Sequence, residues 1–153
     1  DNTVFNLGGT ADTGMPSIFS SNDTLYITSQ IANGKTISGS SIIISDSISG
    51  TQNFSNLPNN TVINSGGGTS GSSFNGSLPS VFVLHGNLYI TATQATGKTI
   101  TGSGNIYITN FINNTDFSNI AINNVNYVIS SSITYAGKLK NLSTNIYLQI
   151  FSN

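Results

Sequence analysis

The chain has 153 residues, enough for one domain, and only 6% of them are charged: five Asp, four Lys, no Glu and no Arg. Asn, Ser, Thr and Gly together supply 80 positions, while Cys and Trp are absent and His occurs once. Four lysines at a net charge of −1 cannot form a phosphate-binding surface. A chain without Cys and with one His has no disulfide framework and no zinc-site vocabulary. No apolar run approaches the roughly 18 residues of a membrane span.

Apolar residues still make up 37%, and many are Ile, Val, Tyr and Phe. These side chains suit a pleated surface, and the polar half is rich in turn formers. The composition therefore predicts an all-β chain of many short strands. The first expected strand is Thr3–Leu7, with Phe5 and Leu7 sharing one face. Residues 8–14 have the composition of a flexible linker. A strand is expected over Thr24–Ile31, closed by the tight-turn pair Asn33-Gly34. Further strands are expected at Thr36-Ile37 and Ile42–Ser45, then Val125–Tyr135 and Asn145–Phe151.

An internal duplication organises the middle of the chain. Leu25-Tyr26-Ile27-Thr28 recurs as Leu88-Tyr89-Ile90-Thr91, and Gly34-Lys35-Thr36-Ile37 as Gly97-Lys98-Thr99-Ile100. Asn53-Phe54-Ser55-Asn56-Leu57 recurs as Asp116-Phe117-Ser118-Asn119-Ile120, and all three pairs share an offset of 63 residues. The units span 18–65 and 81–130, with a Gly/Ser loop between them. The domain reading is a strand and linker over 1–14, followed by one β domain over 15–153.

Two architectures fit. Apolar centres near residues 25, 43, 62, 81, 106, 126 and 146 recur at rung-like spacing, as in a β-solenoid. A sandwich of hairpins consumes chain at the same rate. Unequal strand lengths, the long Val125–Tyr135 segment and the alternation of Leu25 and Ile27 with Tyr26 favour the sandwich.

Chemistry has few carriers. His85 ends an apolar strand and reads as structural. No Gly-x-Ser-x-Gly elbow, paired carboxylate motif or Asp-x-Asp cluster appears, so no catalytic or metal-binding residues and no cofactor are expected. Lys35 and Lys98 follow equivalent turns and read as solvated turn lysines; the sharper alternative is a crosslink to Asn or Asp. Asn22, Asn53, Asn59, Asn75, Asn113 and Asn141 occupy Asn-x-Ser/Thr triplets and are the candidate sites of covalent N-glycans. Tyr26, Tyr89 and Tyr107 are candidates for a sugar-stacking face. So few titratable groups make the fold nearly indifferent to pH and salt, which suits an exposed exterior.

A first residue of Asp1 and an N-terminal apolar strand read as a processed, secreted chain. With the missing cysteines, the Asn/Ser/Thr surface and the sequons, it resembles the surface thread subunits of thermoacidophilic archaea, which are similar to chaperone–usher pilins. That resemblance implies an immunoglobulin-like, pilin-like β-sandwich completed by a donor strand: Thr3, Val4, Phe5, Asn6 and Leu7 would insert into the next subunit. The chain departs from bacterial pilins in lacking a disulfide and in carrying Ser152 as its penultimate residue. The function expected is a structural subunit of an extracellular, cell-surface filament, a homopolymer of identical subunits joined head-to-tail and serving adhesion or cell–cell contact. A secreted carbohydrate-binding or adhesin β module, with a cell-surface glycan as partner, is the alternative.

Overall fold

A computed structural model describes residues 5–7, 15–39, 41–69, 72–110, 115–130 and 146–151. The strands are β1 (Phe5–Leu7), β2 (Ile18–Ser21), β3 (Leu25–Ile27), β4 (Thr36–Gly39), β5 (Ile42–Ile44), β6 (Thr61–Ile63), β7 (Gly66–Gly67), β8 (Val81–Leu84), β9 (Asn87–Thr91), β10 (Thr99–Thr109), β11 (Ile120–Ser130) and β12 (Ile146–Phe151). Two one-turn helices, α1 (Ser29–Ala32) and α2 (Ala92–Ala95), follow β3 and β9. The all-β reading holds.

Every named strand pair is parallel. Hairpins cannot produce that pattern, because a two-residue turn reverses the chain. Among the described residues the antiparallel pairing of an immunoglobulin-like sandwich is therefore not found, and the strands follow the solenoid alternative. Successive rungs climb through Tyr26, Ile43, Val62, Val83, Thr101 and Ala121, in steps of 17, 19, 21, 18 and 20 residues. A second stack runs through Ile48, Gly67, Leu88, Ile106, Val125 and Ile146. A third contains the Ile18–Thr36 pair and the Asn53–Ser77 bridge. The Asn33-Gly34 turn is real, but it follows α1 and joins strands of different sheets. Thr28, expected inside a strand, instead caps α1 by accepting a hydrogen bond from the Ile31 N–H at 3.3 Å.

The core is built from columns of aligned inward side chains. Ile27, Ile44, Ile63 and Leu84 occupy one column and none is more than 1% exposed. Leu88, Ile106 and Val125 form another and are fully buried. Phe54 and Phe74 stack in the interior with ring centroids 6.1 Å apart. Alternation along each strand thus has its ordinary meaning, one face buried and one wet, but the neighbour is the next coil rather than a facing sheet.

The duplication has a geometric consequence. The β2–β4 pairing of the first unit reappears as β8 with the first part of β10, and β3–β5 reappears as β9 with the second part of β10. Yet β8 lies on the β3–β5–β6 stack, not above β2. Sixty-three residues are three rungs and one further side, so each copy of the repeat is turned onto the neighbouring face.

Glycine fixes the corners where rungs approach most closely. Gly39 and its repeat partner Gly102 have φ of +123° and +120°, and an added Cβ would lie 1.8 Å from the Ser21 carbonyl oxygen or 2.2 Å from that of Leu84. Gly102→Ala should lower stability by about 2 kcal/mol or more, through backbone strain and collision with an immobile carbonyl. Gly97→Ala, with φ +70° but nothing within 4 Å, should cost about 1 kcal/mol. Thermal unfolding of both variants checks the order; equal losses would contradict close rung contact at Gly102.

Candidate functional site

The second stack carries two outward columns of polar and aromatic side chains. Asn87, Asn105 and Asn124 align on successive rungs. The Asn105 amide donates to Asn87 Oδ1 at 2.7 Å, and the Asn124 amide donates to Asn105 Oδ1 at 2.7 Å. Two residues along, Tyr89 and Tyr107 are register partners and stack with centroids 4.2 Å apart and planes 9° from parallel. Burial raises the Tyr89 pKa, and the neighbouring Tyr107 adds to that rise. Tyr26 belongs to a different stack, aligned with Ile43, and is 37% exposed. The three tyrosines expected to share one face are thus divided, Tyr89 and Tyr107 on one side and Tyr26 on another, because the repeat turns Tyr26 away.

Beside this column lies a groove of about 620 Å³. Its walls include Ser49, Thr69, Ser72, Asn75, Asn87 and Tyr89, and among the described residues no charged side chain lines it. It opens where the rung before β9 is the glycine run Gly66-Gly67-Gly68, which offers no side chains to continue the Asn and Tyr columns. Sequence reasoning read this run as part of a loop and missed the groove. The signal was present in the 18- and 19-residue spacing of Asn87, Asn105 and Asn124, which acquires meaning once the rung length is known.

The expected site residues are dispersed. Phe5, Asn6 and Leu7 pair in parallel with Leu25, Tyr26 and Ile27 of the same chain, while Thr3 and Val4 lie outside the described residues. Asn22, Asn53, Asn59 and Asn75 are exposed; Asn113 and Asn141 lie outside the described residues. Asn53 Oδ1 also accepts the Ser55 N–H at 3.0 Å, and its repeat partner Asp116 accepts the Ser118 N–H at 3.0 Å, which lowers the Asp116 pKa. His85 is exposed. Asp46 accepts from both the N–H and the Oγ of buried Ser29, so this carboxylate organises a corner. Among the described residues no three His, Cys, Asp or Glu side chains cluster.

Lys35 and Lys98 correct another expectation. They are not solvated turn residues: Lys35 is 7% exposed and its ammonium donates to the Met15 carbonyl at 3.0 Å, while Lys98 donates to the Leu78 carbonyl at 2.9 Å. Each ties its own rung to the one 20 residues before. Partial burial lowers the Lys98 pKa.

Comparison of the chain with family models, with curated proteins and with solved structures finds no match.

A lowered lysine pKa means that the unfolded chain binds the proton more tightly, so this group adds stability as pH rises toward its ordinary 10.5. Tyr89 acts oppositely, since its raised pKa costs stability above pH 10. The melting temperature of the native chain minus that of Lys98→Met should therefore increase between pH 8 and 10.5. A difference independent of pH would show that Lys98 is fully hydrated.

Proposed function

We propose that the chain is a structural subunit of an extracellular filament in which the parallel sheet continues from one subunit into the next. One observation carries this reading: the sheet runs in a single direction, and its outermost strands, β1 and β12, each pair on one side only among the described residues. The open edge of β12 matches in direction the open edge of β1 on a second copy. Such a contact joins unlike surfaces, does not close on itself, and propagates as a fibre. Phe5–Leu7 is not inserted into the next subunit in this assembly but stays in its own sheet, with one edge on its own β3 and the other offered to the neighbour's β12. Exposed apolar surface at the same end supports the reading, since Ile18 on β2 is 74% exposed and among the described residues β2 pairs only with β4.

The composition suits an exterior filament. Stability rests on apolar columns and main-chain bonds, which neither salt nor acid titrates away. Glycans on exposed Asn22, Asn53 and Asn59 would supply the hydration that charges do not.

Negative-stain electron microscopy tests assembly directly. The intact chain should form thin fibres, and a version lacking residues 1–8 should not. Gln149→Pro, which removes a main-chain donor from β12, should shorten or abolish the fibres. Discrete particles of the intact chain at high concentration would overturn the proposal.

A further inference from the structure

Tyr89 has two faces with different surroundings. Tyr107 covers one at 4.2 Å, and the other is turned toward the glycine rung, where Gly68 follows the Gly67–Leu88 pair and carries no side chain. The ring is therefore a platform, supported from behind and open to the groove in front. Around it stand hydroxyl and amide groups: Ser49, Thr69, Ser72, Asn75 and Asn87. Each can both donate and accept a hydrogen bond. The groove volume, about 620 Å³, falls within the range of small-ligand sites.

The chemistry of this lining selects a ligand class. Among the described residues no charged side chain lines the groove, so a phosphate or carboxylate would meet no cation from them. A wholly apolar ligand would strip water from the rim without replacing its hydrogen bonds. A pyranose ring meets both demands, with a C–H face that packs on an aromatic plane and hydroxyls that donate and accept at its edge. We propose that this groove binds a neutral hexopyranose oligosaccharide, with one sugar ring lying on Tyr89 and its hydroxyls held by the Ser, Thr and Asn rim. The site is independent of the terminal strands, so it stands or falls separately from filament assembly.

Saturation-transfer NMR on protein produced without glycosylation tests it, using cellohexaose, mannohexaose and maltohexaose as probes. At least one probe should receive saturation at its ring C–H protons and shift the backbone amides of Ser49, Asn75 and Asn87. Tyr89→Phe should retain binding, since stacking needs the ring and not the hydroxyl, whereas Tyr89→Ala should weaken it about tenfold, the scale of one aromatic contact. Ser72→Trp, at an exposed rim position, fills the groove without entering the core and should abolish binding even if Tyr89→Ala fails to fold. Absence of transfer to all three probes overturns the proposal. So does binding that survives Ser72→Trp, or amide shifts confined to residues outside the groove.

Discussion

Parallel stacking of one coil on the next is the constraint from which the other features follow. Main-chain hydrogen bonds run between rungs, so the register of every strand is set by the strand about 19 residues before it. No rung can bury its apolar face alone. Ile27 is covered because Ile44 lies above it, and Ile44 because Ile63 does. The same closeness that makes these columns dry leaves no room for a Cβ at Gly39 or Gly102. It also makes the lysine contacts to Met15 and Leu78 effective, since each ammonium reaches a carbonyl of the preceding coil.

Electrostatics plays a small and local part. The carboxylates with described contacts serve corners: Asp46 holds the Ser29 amide and hydroxyl, and Asp116 holds the Ser118 amide. Asn53 does in the first repeat what Asp116 does in the second, so a neutral acceptor suffices at this turn. A fold assembled in this way has little to lose when pH or ionic strength changes. Its vulnerable places are geometric, above all the glycine corners.

The duplication and the coil have different periods, and the two copies of the repeat meet different surroundings because of the mismatch. Equivalent tyrosines, Tyr26 and Tyr89, are placed on different sides and meet different neighbours, Ile43 in one case and Tyr107 in the other. Only the second acquires a stacked partner on one side and a bare glycine rung on the other. A repeat of a whole number of turns would have placed both tyrosines in one column. The extra third of a rotation instead gives the stacks of the coil different faces.

The β character, the turn-rich surface and the 63-residue duplication were all legible in the sequence, because branched residues, glycine and short repeats act locally. Direction of pairing was not. Alternation such as Leu25-Tyr26-Ile27 says that one face is buried, and it reads identically whether the covering strand is antiparallel in a second sheet or parallel in the next coil. Tertiary structure decided that question, and with it the burial of Lys35, the alignment of Asn87 with Asn105 and Asn124, and the groove beside Tyr89. Each depends on which residue of a neighbouring rung stands opposite, a relation across 17 to 21 positions that no local pattern encodes.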